Sequence, residues 1–435
     1  MIRPSPARIT DYTEPVFAPD VAAMREAVAA IAESIRLEPD ALIDDARAQL
    51  GRWDAGGWDA ALDEFGGDEF GGDGSWRERL AVLCRALREE AGLSPFGTLS
   101  NATMLVGLLK NRLLLQRLLT QHPEIHAVEI VAPIVICGLP RTGTTHLHNL
   151  ISADHRLRAL PYWESVEPIP TPGEAPGPDG EDPRVARCKQ ACDFIDASMP
   201  LFKRMHEMTW DHVHEEIQLL AIDLSTMLFE SAAYIPSWRR YYEAHDQRPH
   251  YEYMKTVLKA ATWLRGGERW VLKSPQHLEQ FPALVDTFPD ATFVVTHRDP
   301  VSVTISMVTM LAYSARMNAA HPDPERIAAE WSNRLEVMLR ACARDHDVLP
   351  AERTIDVGFD EFMADDIAMV RRIYDVAGQP FTTETRAQMD AFMREHPRGR
   401  FGAVIYDFDD FGLDPAERYR ALGFYVDRFG LTPER

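Results

Sequence analysis

Ile134-Val135-Ile136-Cys137 is a short apolar run that breaks at Gly138-Leu139-Pro140-Arg141-Thr142-Gly143 and resumes as Thr144-Thr145-His146-Leu147 with helical spacing. A buried strand, a loop bounded by two glycines and a helix follow one another directly. Such a strand needs parallel neighbours reached through crossover helices, which commits the chain to an α/β architecture. From about residue 130 onward the pattern agrees, because short β-branched runs alternate with helix-compatible stretches. The expected strands are Ile134–Cys137, Arg269–Leu272, Thr292–Thr296 and Thr354–Val357.

The preceding residues read differently. Apolar positions recur at intervals of three and four in Val21–Ile35, Trp76–Ala91 and Met104–Leu119, the spacing of amphipathic helices. The expected organisation is an all-α region over 1–128 followed by an α/β domain over 129–435, with a P-loop-type, mainly parallel sheet flanked by helices. EFGGD occurs twice in tandem, at Glu64–Asp68 and Glu69–Asp73, and its glycines and acids predict an exposed turn-rich loop. The ligand spacing and closing Glu of an EF-hand calcium loop are absent. Between Pro168 and Pro183 the density of Pro and Gly excludes regular structure and leaves an ordered surface loop or a lid.

Gly138 and Gly143 enclose four residues, the form of a loop whose backbone N–H groups and following helix end cradle an anion. The lysine that in such a loop reaches the outer phosphates of a nucleoside triphosphate is replaced by Thr144, and a positive charge sits inside the loop at Arg141. The loop therefore suits a different terminal anion. A second run, FVVTHRDPVSVTISM, puts Arg298 at the end of an apolar strand and Ser306 eight residues on, inside a helix opened by Pro300. The carboxyl end of a strand faces the ligand crevice of an open α/β sheet. With 46 Lys+Arg against 67 Asp+Glu, the net charge of −21 disfavours docking on nucleic acid or an anionic membrane. Five irregularly spaced cysteines, no signal-like start and no apolar run near the ~20 residues of a bilayer span predict a cytoplasmic protein without a transmembrane segment.

Pro140–Thr145 together with Arg298 and Ser306 resembles the sulfotransferases that use 3′-phosphoadenosine 5′-phosphosulfate (PAPS). The stretch WVLKSPQHLEQFPALVDTFPDATFVVTHRDP is similar to a bacterial branch of that family and, more distantly, to tyrosylprotein sulfotransferases. The resemblance implies that Arg141, Thr142, Gly143, Thr144 and Thr145 hold the 5′-phosphosulfate and that Arg298 and Ser306 hold the 3′-phosphate. It implies further that Phe359 lies near the adenine, that Arg398 and Arg400 close over the nucleotide, and that Lys273 stabilises the departing phosphate. Glu164, in LPYWES, is expected as the general base that takes the acceptor's proton. Tyr162 and Trp163 beside it either line the acceptor pocket or pack in a core, as aromatics next to a strand more often do, and His146, His148, His212 and His214 are rival bases.

No metal is expected. The histidines of HEMTWDHVHEE lack a zinc-ligand spacing, and Glu215 or Glu216 is expected to face the acceptor cleft. Cys188 and Cys192, one helical turn apart, are expected to pack as small apolar groups. The acceptor implied is a hydroxyl or amine of a small molecule, lipid or sugar, selected by the N-terminal helices, the Pro-rich loop and the residues around His206–Arg240. Two alternatives remain at this level: a P-loop kinase or NTPase, and a non-catalytic nucleotide-binding protein on the same fold.

Overall fold

The strands are made by runs with no polar face. Ile134–Cys137 (β1), Val271–Ser274 (β2) and Thr292–His297 (β3) are buried at every position, and Thr354–Gly358 (β4) closes the edge. A strand covered on both faces reads as a continuous apolar stretch, as parallel strands under helices do. The computed structural model describes residues 4–51, 69–72, 74–177 and 179–434. Among them the sheet has the order β2-β1-β3-β4, and every pairing is parallel, with Ile134 opposite both Val271 and Thr292 and Phe293 opposite Thr354.

Alternation along each strand divides the apolar residues between two layers. Val135, Cys137, Leu272, Phe293 and Val295 point into the larger core, whereas Ile134, Ile136, Val271 and Val294 point into a second core with Ile367, Val370 and Tyr374. Burying each such side chain contributes about 1.5–3 kcal/mol, so the sheet is fixed from both faces. β2 begins two residues later than the sequence pattern predicts, because Arg158 pairs with Trp270 only as an isolated bridge. That shift brings Lys273 inside the strand.

The N-terminal helices include Trp76–Glu89 and the long Pro95–Gln121, which begins where Ser94 caps Gly97 N–H. Pro39–Gly51 is a further helix that the spacing did not single out. The larger core runs from Ile9 to Tyr425, so it joins both sides of the expected boundary at 128/129. Asp223 reinforces this junction: buried, it accepts hydrogen bonds from Arg79 (2.9 Å) and His250 (2.6 Å) and pairs with Arg112 (2.5 Å). The first EFGGD lies outside the described residues. Of the second, Phe70 is fully buried against Trp76, with ring centroids 4.7 Å apart, so its aromatic position is an anchor within the turn.

The Pro-rich segment is held down. Arg184 donates to the Glu167 and Pro168 carbonyls at 2.9 and 3.3 Å, and Arg187 pairs with Glu167 at 2.7 Å and with Glu174. Of the two expected forms, this is the ordered surface loop. At the far edge of the sheet, one oxygen of Asp356 accepts from His297 and His346 at 2.8 Å each, tying β3 and β4 to the end of the Pro324–Asp345 helix. Among the described residues no helix is long and apolar enough to cross a membrane.

Candidate active site

The order β2-β1-β3-β4 places the reversal of strand order at β1 and β3, and the loops leaving their carboxyl ends frame a crevice. After β1 the chain enters Gly138–Gly143. Its tightness depends on Gly138: a Cβ there would sit 1.9 Å from Thr296 Oγ1 and 3.0 Å from Thr142 Oγ1. Those two hydroxyls are bonded to each other at 2.7 Å, and Thr142 Oγ1 also donates to the Leu139 carbonyl at 2.7 Å, so neither has room to retreat. Gly138→Ala is therefore expected to destabilise the fold by about 1–3 kcal/mol, measurable as a lowered melting temperature, with Gly107→Ala, inside the Pro95–Gln121 helix where a Cβ meets nothing within 4 Å and Ala is the better helix former, as the control that does not destabilise.

Arg141 adopts φ 73° and Gly143 φ 83°. For a residue with a Cβ the left-handed region costs about 1 kcal/mol, and the Arg141 side chain makes the contacts that hold it there. Its Nε donates to Ser306 Oγ at 2.9 Å, Nη2 to Tyr406 Oη at 3.2 Å, and Nη1 to the Met205 carbonyl. Gly143 caps the Thr144–Ser152 helix without any side-chain acceptor. The first N–H groups of that helix are thus presented to the crevice with the positive end of its dipole.

After β3, Asp299 caps the Pro300–Ser314 helix through Val301 N–H at 3.0 Å, which aims the preceding Arg298 across the crevice. Arg298 Nη1 donates to the Arg141 carbonyl at 2.7 Å, and its guanidinium carbon lies 4.0 Å from the Phe359 ring centroid. Arg141, Arg298, Ser306 and Phe359, 218 positions apart from first to last in the sequence, thus meet around one loop.

In front of them lies a cleft of about 610 Å³. Arg141, Gly143, Thr145 and His146 form its base, the segment Lys203–Val213 one wall, and Phe359 with the Pro397–Gly402 turn the other. Arg398 donates to Asp366 at 2.8 Å and lies 3.2 Å from His146 Nε2, while Arg400 pairs with Glu207 across the cleft. The turn is clamped from outside, since Ala7 exchanges backbone bonds with Ala403 and Ile405 at 2.9 Å. Among the described residues, none that lines the cleft comes from the Pro-rich loop or the N-terminal helices.

At the carboxyl end of β2, Lys273 is buried and its ammonium pairs with Glu215. Its backbone N–H donates to Glu216 Oε2 at 2.7 Å. Burial pushes the Glu216 carboxyl well above its ordinary value and pushes His206 and His277 down to about 3. Burial, reinforced by the nearby Lys273 charge, also holds His148 and His214 well below theirs. His212, which lines the cleft, is hydrogen bonded to the Thr209 carbonyl at 2.5 Å and to His214 Nδ1 at 2.9 Å.

Glu164 is elsewhere. It is 1% exposed, and its two oxygens accept from Arg158 at 2.6 and 2.7 Å and from Arg265 at 2.7 Å. It is not among the residues lining the cleft, and neither are Tyr162 and Trp163. Those rings pack with Cys188, Cys192 and Trp210, the buried packing expected of the two thiols. Tyr406, Asp366 and Glu434, which bond Arg141, Arg398 and Arg298, were missed, because no spacing in the sequence links residues so far apart.

A family model described as the sulfotransferase family matches residues 133–383, more than half of the chain. The chain belongs to the sulfotransferase family. Among solved structures, sulfotransferase STF1 from Mycobacterium tuberculosis H37Rv is 28% identical, with a TM-score of 0.71 over 85% of this chain and 99% of that one. Sulfotransferase STF9 from Mycobacterium avium is 25% identical, with a TM-score of 0.78 over 92% of this chain and 98% of that one. No curated protein matches the sequence. The STF1 and STF9 likenesses cover more of this sulfotransferase than the matched family segment does.

Proposed function

We propose that this sulfotransferase moves a sulfuryl group from PAPS to a hydroxyl or amine of a small-molecule, lipid or sugar acceptor, in the cytoplasm, where its five buried thiols stay reduced. The observation that carries the donor reading is the junction of Arg141 with Ser306 and of Arg298 with the Arg141 carbonyl, at 2.9 and 2.7 Å. It brings two guanidiniums together at one anion-binding loop, as a ligand that carries both a 5′- and a 3′-anion requires. The residues fit that ligand: uncapped helix N–H groups at Thr144, an aromatic face at Phe359 and two further arginines, Arg398 and Arg400, along the cleft.

PAPS supplies a sulfuryl group already activated by its link to a phosphate. The chain's part is to hold the two anions, to place charge at the oxygen that leaves and to remove one proton. Arg141 and the N–H groups of Thr142–Thr145 bind the phosphosulfate, with the Thr144 and Thr145 hydroxyls as further donors. Lys273 stabilises the departing phosphate oxygen as the bond from sulfur to that oxygen breaks and the bond from sulfur to the acceptor forms. Glu215, freed as Lys273 turns to that oxygen, accepts the acceptor's proton. The base is assigned to Glu215 and not to Glu164 because both Glu164 oxygens are engaged by arginines. Acceptor selection is assigned to Lys203–Val213, the wall of the cleft that the nucleotide residues do not supply.

The test is thermal stabilisation by adenosine 3′,5′-bisphosphate without metal, set against ATP with Mg²⁺. A ligand at 100 times its dissociation constant adds about 2.7 kcal/mol to the folded state. The bisphosphate is expected to raise the melting temperature, and Arg298→Ala to weaken its binding about tenfold or more. Stabilisation by Mg-ATP alone would return the chain to phosphoryl transfer. Bisphosphate binding with no sulfuryl transfer across a broad acceptor panel would leave a nucleotide-binding protein.

A further inference from the structure

Arg298 spends its outward edge on another residue of its own chain. Its Nε and Nη2 donate to the two oxygens of Glu434 at 2.5 and 2.7 Å, a fork-to-fork pair. The remaining nitrogen is committed to the Arg141 carbonyl at 2.7 Å, and the guanidinium carbon is 4.0 Å from the Phe359 ring centroid. A carboxylate thus occupies the edge through which Arg298 would receive any other anion.

The segment bearing Glu434 is delivered there by structure. The Pro415–Phe429 helix stops at Gly430, whose φ of 61° turns the chain, and Leu431 N–H returns to the Val426 carbonyl at 3.0 Å. Glu434 N–H then donates at 2.8 Å to Asp299 Oδ2, which also accepts from Tyr419 Oη at 2.7 Å. Asp299 adjoins Arg298 and caps the next helix through its other oxygen at 3.0 Å. The tail is therefore docked by the same Arg-Asp pair that shapes the crevice. The contact is nonetheless partly open to water, with Arg298 and Glu434 side chains 21% and 29% exposed.

We infer that Glu434 is an internal competitor at the donor site: its carboxylate holds the Arg298 fork until a ligand's 3′-phosphate displaces it. This rests on the reading of Arg298 as the 3′-phosphate residue. A guanidinium fork fits carboxylate and phosphate alike. The phosphate carries about −1.5 to −2 charges at pH 7 and three acceptor oxygens, against one charge on the carboxylate, so it wins the exchange. A free 3′-hydroxyl does not, and a nucleotide without the 3′-phosphate leaves Arg298 paired with Glu434. The internal carboxylate thereby weakens only the adenine nucleotides that carry that one group, because they alone must displace it.

The experiment is calorimetric titration of the full chain, wild type, Glu434→Gln, Arg298→Ala and the double variant, with adenosine 3′,5′-bisphosphate and with adenosine 5′-monophosphate. Because partly exposed pairs are worth little, Glu434→Gln is expected to tighten the bisphosphate by only about fivefold. It is expected to leave the monophosphate unchanged and to have no effect once Arg298 is Ala. If Arg298→Ala weakens the bisphosphate while Glu434→Gln leaves it unchanged or weaker, this inference is overturned and the donor site stands. Equal tightening of both nucleotides also overturns it. If Arg298→Ala does not alter bisphosphate binding, the donor-site reading itself has failed.

Discussion

Glu215→Gln is expected to lower kcat by about 10²-fold or more while the dissociation constant of adenosine 3′,5′-bisphosphate stays within about twofold of wild type. Glu215 pairs with the buried Lys273 at the carboxyl end of β2, next to the phosphate-binding loop. Gln is isosteric and still accepts a hydrogen bond from Lys273, but it cannot take a proton. A base lost from the transition state alone lowers kcat without weakening nucleotide binding. The rival outcome is specific: full turnover in Glu215→Gln with loss in His212→Gln would move the base to the imidazole that lines the cleft. Near-normal turnover in both would remove this acidic-histidine wall from the chemistry.

Glu164→Gln is expected to act on stability instead. Its carboxylate is buried between Arg158 and Arg265, whose guanidiniums cover the Trp270 and Trp163 rings at 4.5 and 4.8 Å. Breaking a buried ion pair from one side leaves charge without compensation and costs about 3–5 kcal/mol. Chemical denaturation of the purified variant is expected to read a loss of about 3 kcal/mol, the lower end because Arg265 is 41% exposed and can turn to water. The folded variant is expected to keep kcat within a few-fold of wild type. A hundredfold loss of kcat with unchanged stability would restore Glu164 as the base.

These two carboxylates show what spacing conveys and what it omits. Glu164 and Glu215 both follow aromatic or histidine-rich segments, and nothing local to either tells which one meets the Lys273 ammonium. The choice is made by their partners. Arg158, six residues before Glu164, and Arg265, 101 residues after it, fill both oxygens of one, and Lys273 on β2 takes the other. Tyr162 and Trp163 illustrate the same limit. An aromatic pair beside a turn can line a pocket or pack a core, and here Cys188, Cys192 and Trp210 complete a small core around them.

Local chemistry, legible in the amino acids alone, determined the parallel strands, the glycine-bounded loop with its inward arginine, and the Arg298–Ser306 pair. Each depends on patterns within a few residues: β-branched runs, glycines that bound a strand-to-helix loop and a capped helix after Arg-Asp-Pro. Tertiary structure alone decided that Arg141 bonds Ser306, that Lys273 lies inside β2 opposite Ile136, and that Glu434 reaches Arg298 from 136 residues away. Those outcomes depend on which charged groups meet once the sheet order is set. A charge finds its partner by position in space, and the distance along the chain that separates them carries no signal of it.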